Sequence, residues 1–176
     1  MLSSLIDPAG RSISYLRVSV TDRCDMRCVY CMAESMRFLP REDVLSFEEL
    51  LRLSQVFVRQ GVRRLRITGG EPLVRRDIGP FFETLGQWLQ RPEQAGKLDE
   101  LTLTTNGSLL DVYAETLFKA GVRRVNVSLD TLNEDRFAQI TRPGQLHAPS
   151  KRIKAHPAGG LAVLINTLLL HTRVRS

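Results

Sequence analysis

The chain is poor in cysteine and lysine and has no long apolar run. Cysteine occurs only at Cys24, Cys28 and Cys31. An odd, crowded set of this kind cannot staple a fold in pairs, which argues against a disulfide framework. No stretch approaches the roughly 18 apolar residues of a membrane span. The N-terminal MLSSLIDPAGRSISYLRV lacks a signal-peptide core. The expectation is a cytoplasmic protein without a membrane partner, its thiols kept reduced. Lysine is confined to Lys97, Lys119, Lys151 and Lys154, and the rest of the basic residues are arginine. The net charge of +6 suits anionic partners. No basic stripe with interleaved aromatics accompanies it, so nucleic acid is not expected. What is present is ordinary globular material: hydrophobic content of 43% over 176 residues suffices for one domain with its own core.

Apolar periodicity alternates between about 2 and about 3.6 along the chain. Strands are predicted at Ser14 to Val20, Arg64 to Gly70, Glu100 to Gly107, Arg123 to Asp130 and Leu161 to Leu170. SFEELLRLSQVFVRQG predicts a helix, with Ser46 and Glu49 as a capping box and Gly61 closing its end. Ile78, Phe81, Phe82, Leu85, Trp88 and Leu89 mark a second helical stripe; Leu110 to Phe118 marks a third, closed by Gly121. GVRRLRITGG and GVRRVNVSLD repeat one helix-to-strand joint. Repeated strand–helix units give an α/β fold with a parallel sheet, open or closed into a barrel, whose ligands sit at the carboxyl ends of strands. The Cys loop, Gly69-Gly70-Glu71, Thr105-Asn106-Gly107, Ser128 and Asp130 all fall at such ends. Within RLRIT, alternation places Arg64, Arg66 and Thr68 on one face, directed either into a lumen or at water. Asn106-Gly107 reads first as a turn. From residue 143 onward the pattern breaks: Pro149 and Pro157 interrupt the helix expected between the fourth and fifth strands.

The cysteines are spaced C-x3-C-x2-C. A structural zinc site wants four ligands, the fourth from His147, His156 or His171 or from an acid. Unbound thiols are the bland reading. An iron–sulfur cluster accepts close thiolate spacings, and three ligands on four irons leave one iron open for substrate. The cluster is the reading preferred.

CDMRCVYC, with Tyr30 at the aromatic position, followed by GGEP after the second strand, resembles the signature of radical S-adenosylmethionine enzymes. LRVSVTDRCDMRCVYCM, LRITGGEPLVRRDI, LTLTTNGSLL, VRRVNVSLDTL and FAQITRPG, from about residue 5 to 144, are similar to one family in particular, the GTP 3′,8-cyclases of molybdenum cofactor biosynthesis. The resemblance implies a radical S-adenosylmethionine domain over residues 1–176, with an irregular tail at 143–176. It implies a partial TIM-type (β/α) barrel with about five of six repeats. It implies a lyase in which a 5′-deoxyadenosyl radical abstracts the ribose C3′ hydrogen of GTP before closure onto C8. Cys24, Cys28 and Cys31 would hold a [4Fe–4S] cluster. Tyr30, Gly70 and Ser128 would contact S-adenosylmethionine, and Arg17, Arg66 and Thr104 would contact GTP. An external electron donor is implied, and a homodimer is admitted.

Three family features are altered. The cysteines of a second cluster are absent, so that cluster is not encoded here. The family continues past this length, and Leu164 stands where the family has a phosphate-contacting lysine. The expectation is a shortened or altered relative with an intact cluster site. The alternatives are a radical enzyme for another substrate, such as a peptide, a cofactor-binding chain without turnover, and a zinc module.

Overall fold

The computed structural model describes residues 5–33, 35–91, 97–142 and 162–167. Five parallel strands form one sheet in sequence order: β1 (Tyr15–Ser19), β2 (Arg64–Thr68), β3 (Glu100–Thr105), β4 (Arg124–Ser128) and β5 (Ala162–Asn166). Four helices accompany them: α1 (Phe47–Arg59), α2 (Ile78–Gln90), α3 (Leu110–Lys119) and α4 (Glu134–Thr141). This is the α/β architecture that the alternating periodicity predicts. Each strand ends one or more residues before its apolar pattern does, because Gly69, Asn106 and Leu129 leave the sheet to build the loops of the site.

Local chemistry sets the helix ends. Ser46 Oγ accepts from the Glu49 amide at 3.2 Å and the Glu49 carboxylate accepts from the Ser46 amide at 2.7 Å, the predicted capping box. Gly121, at φ 84°, takes the left-handed turn that ends α3. Ile78, Phe81, Phe82, Leu85 and Trp88 are buried, so the second stripe is core as expected. α2 crosses close to α3's end: a Cβ on Gly86 would lie 2.3 Å from the Ala120 carbonyl oxygen.

One correction concerns the fourth repeat. Its helix is α4, which starts well before the proline-rich segment in which the sequence reading placed it. Asn133 caps it, accepting from the Arg136 amide at 2.9 Å. The segment 143–161, with Pro149 and Pro157, lies outside the described residues, as do the histidines at 147, 156 and 171. β5 is shorter than the predicted Leu161 to Leu170, and 168–170 also lie outside the description. Its Leu164 and Ile165 are half-exposed.

The sheet has two unlike faces. Val18, Leu65, Ile67, Leu101, Leu103, Val125 and Val127 form the buried face that packs in the main core. The opposite face is polar and layered. Register aligns Arg17, Arg66, Thr102 and Arg124 in one row, and Thr104, Asn126 and Leu164 in the next row toward the carboxyl ends. Asn126 and Thr102 are buried, and Arg66 is half-buried. Arg17 and Leu164, at the two edges of these rows, are exposed, so the layer is enclosed at its centre and open at its sides.

Candidate active site

The Cys loop grows out of β1 and is laced to three strand ends. The Val20 amide continues the β1–β2 ladder to Thr68 at 2.9 Å. The Gly70 amide then donates to Thr21 at 2.7 Å and the Glu71 amide to Arg23 at 2.8 Å. These bonds bring two backbones into contact. A Cβ on Gly69 would lie 2.6 Å from the Thr21 carbonyl oxygen, and one on Gly70 2.3 Å from that of Arg23. Only glycine fits at both places. Both glycines of GGEP are therefore accounted for by how the loop is seated.

On its other side the loop rests on α4 and the end of β4. The Arg27 and Val29 amides donate to the Thr141 and Ile140 carbonyls at 3.1 and 2.9 Å. Met26, Leu129 and Phe137 form a small separate core against which Cys24 and Cys28 pack. The tight turn from Cys28 to Cys31 closes with a 2.9 Å backbone bond. The Tyr30 hydroxyl donates to Asp130 Oδ2 at 2.6 Å.

A cleft of about 290 Å³ opens at the carboxyl ends of β1 and β2, lined by Cys24, Cys28, Cys31, Gly70, Thr21 and Met32 among others. Burial pushes the Cys24 thiol up to about 11 and, together with the charge of Asp130, raises Cys28. Among the described residues, no three Cys, His, Asp or Glu side chains converge tightly enough to hold a single metal ion. Thiols that share one cleft suit a polynuclear centre, in which each thiolate takes a different iron. Three thiolates in one cleft are a donor set that fits such a cluster.

Glu71 stands at the end of the second strand, as its sequence position predicts, in a role the sequence does not assign. It is fully buried. Its Oε1 accepts from the Leu73 amide at 3.0 Å and the Thr105 hydroxyl at 2.8 Å, and its Oε2 from the Asn106 amide at 2.6 Å. Burial pushes its carboxyl up to about 7 against the pull of these donors. Asn106, read first as a turn residue, carries a side chain aimed back at the Cys loop. The available signal was an acid between Gly69-Gly70 and the apolar Pro72-Leu73-Val74, where solvent is not expected.

The sequence-predicted residues divide into two groups. The three cysteines and Gly70 line the cleft. Tyr30, between Cys28 and Cys31, is outside that lining and is tied to Asp130, two residues beyond Ser128. Arg17, Arg66 and Thr104 lie on the polar sheet face, outside that lining. Arg66 Nε, Arg124 Nε and Asn126 Nδ2 on this face are buried without a protein partner, as donors reserved for a ligand would be.

A parallel α/β sheet with a three-cysteine loop over its strand ends defines a class, and the family comparison agrees. The Radical SAM superfamily matches residues 18–172, and the chain belongs to that superfamily. Its cofactors are a [4Fe–4S] cluster and S-adenosylmethionine. Within it, the chain is 56% identical over 168 residues to the GTP 3′,8-cyclase of Sinorhizobium medicae, covering 96% of this chain and 47% of that protein. It is 60% identical over 166 residues to the GTP 3′,8-cyclase of Paracoccus denitrificans, covering 94% and 47%. The chain spans about half the length of the curated relatives it matches. Among solved structures it is similar to Streptococcus suis SuiB bound to its precursor peptide SuiA, with a TM-score of 0.72 at 20% identity over 88% of this chain and 33% of that one. It is also similar to anSMEcpe with bound AdoMet and a peptide, with a TM-score of 0.62 at 18% identity over 87% and 42%. These likenesses establish the fold. Among the described residues, no helix is long and apolar enough to cross a membrane.

Proposed function

We propose that this chain carries the cofactor-binding portion of a GTP 3′,8-cyclase, a lyase-type activity acting on GTP in molybdenum cofactor biosynthesis. The observation that carries this reading is the shared cleft of Cys24, Cys28, Cys31 and Gly70 at the strand ends, beside a polar sheet face bearing Arg17 and Arg66. The identity to named GTP 3′,8-cyclases over nearly the whole chain supports it.

Cys24, Cys28 and Cys31 would hold the cluster, and Tyr30, Gly70 and Ser128 would contact S-adenosylmethionine. When bound, these cofactors supply a one-electron cleavage that generates a radical able to abstract hydrogen; the electron comes from an external donor. The chain's own residues bind and orient. Arg17 and Arg66 are cross-strand neighbours, so their guanidinium forks present adjacent donors to a triphosphate. Thr104 sits one row nearer the carboxyl ends, where a sugar or base would lie between the phosphates and the cleft. Met26 lines the cleft and packs with Leu129 and Phe137 against Cys24 and Cys28, giving the thiols an apolar wall.

The test is anaerobic reconstitution of the 176-residue chain with iron and sulfide. 5′-Deoxyadenosine is then counted with and without GTP. GTP-dependent formation is expected; release that ignores GTP would sink the substrate assignment. One observation favours a second reading, cofactor binding without turnover. Leu164 pairs with Asn126 and puts an aliphatic side chain into a row of the polar face. Cluster absorbance with no 5′-deoxyadenosine at all would select that reading.

A further inference from the structure

Asn106 stands where the three sequence words CDM, GGEP and TTNG meet. Its side-chain Nδ2 donates to Asp25 Oδ1 at 2.7 Å and lies 3.8 Å from Cys24 Sγ, within hydrogen-bond reach of sulfur. Its Oδ1 accepts from the Ser108 amide at 2.8 Å. That pair fixes which end of the amide faces the thiol, because the flipped amide would oppose Asp25 with oxygen and Ser108 with N–H. Its backbone amide donates to buried Glu71 at 2.6 Å. Glu71 is itself held by Leu73 and Thr105, and Thr105 Oγ1 accepts from the Gly107 amide at 3.0 Å. A plain Asn-Gly turn requires none of the bonds to Glu71, Asp25 or Cys24.

We propose that Asn106 is a positioning residue for the iron–sulfur centre: its amide, clamped by Glu71, Asp25 and Ser108, orients the Cys24 sulfur and draws electron density from it. The inference rests on the cluster reading of the three cysteines. The physics is direct. An N–H dipole aimed at a ligand sulfur stabilises negative charge there. The reduced cluster carries one more electron than the oxidised cluster, so such a donor raises the reduction potential. Cys24 also accepts from the Met26 amide at 3.4 Å, so the side-chain donor adds to a backbone donor. Burial of Glu71 gives the clamp its stiffness, since a charged or hydrogen-bonded group there cannot relax into water.

The experiment compares wild type, Asn106→Asp and Asn106→Ala, each reconstituted anaerobically without substrate. Iron per chain, the midpoint potential from an EPR-monitored redox titration and the thermal transition are measured on each. Asn106→Asp keeps an acceptor for Ser108 and replaces the donor with an oxygen facing Asp25 and Cys24; Asn106→Ala removes both the donor and the acceptor for Ser108. The midpoint is expected to fall in the order wild type, Asn106→Ala, Asn106→Asp. Iron retention on the order of 10-fold weaker in a variant with a wild-type thermal transition also bears out the orienting role. Wild-type iron and a wild-type midpoint in both variants overturn the proposal, as does a positive shift in Asn106→Asp. Lost iron together with a lost thermal transition marks Asn106 as a folding residue and overturns it too. A wild-type chain that takes up no cluster overturns the cluster reading itself, and this inference with it.

Discussion

The hydroxyl of Tyr30, in the loop after the first strand, donates to the carboxylate of Asp130, just past the fourth, at 2.6 Å. One bond thus spans 100 residues of sequence and ties the cysteine turn to the far side of the site. Removing both partners isolates it. In a double-mutant cycle with Tyr30→Phe and Asp130→Ala, urea unfolding should give a coupling of about 1 kcal/mol. Additive effects would mean that the bond does not hold the loop.

Gly70 has two assigned roles that one substitution separates. A Cβ there meets the Arg23 carbonyl at 2.3 Å. Gly70→Ala should destabilise the cofactor-free chain by about 3 kcal/mol or more, because backbone must shift against backbone. A melting temperature equal to that of wild type without cofactor would assign the glycine to ligand contact alone.

Glu71 should make stability depend on pH. Its folded carboxyl is raised from 4.5 to about 7, chiefly by burial, with the charge of Asp25 adding to the rise. The folded chain therefore holds this proton more tightly than the unfolded chain does. The associated stability is fully present below about 4.5 and is lost as pH rises through about 7, a change on the order of 3 kcal/mol. Chemical denaturation at pH 5 and pH 8 measures it. In Glu71→Gln this part of the pH dependence should disappear, although one donor to the carboxylate loses its acceptor. An unchanged pH profile would place the proton elsewhere.

The arginine row offers an internal control. Arg66 and Arg124 each keep a buried Nε without a protein partner, but the Arg124 guanidinium also pairs with Glu100 at 2.7 Å. Arg66→Ala should weaken GTP binding by roughly 10- to 100-fold, as expected for losing hydrogen bonds to a charged group. Arg124→Ala should change it far less, its charge being already offset. Calorimetry with GTP decides, and equal losses would contradict the assignment of the row.

Strand and helix identities were legible in the sequence because they depend on local rules. RLRIT alternates, Ser46 and Glu49 cap, and Gly121 permits a left-handed turn, whatever the rest of the chain does. The cysteine triplet was legible for the same reason, since its chemistry lies in a spacing of a few residues. α4 was missed because eight residues beginning after Asn133 carry a weak stripe, while the prolines further on drew attention to a later segment. Glu71 and Asn106 were not legible as partners. Their meaning comes from a contact between loops 35 residues apart, which no local pattern encodes.

By itself, then, the sequence determined the repeating strand–helix units and the three thiols with the vacancy they leave on a cluster. Spacing and periodicity are properties of neighbours along the chain. Tertiary structure alone decided that Gly69 and Gly70 are required by backbone contact, that Glu71 is buried beneath the site, and that Asn106 faces Cys24. Parallel pairing in register stacks loops from separate strands at one end of the sheet, and only there do groups distant in sequence come close enough for their charges and dipoles to act on one another.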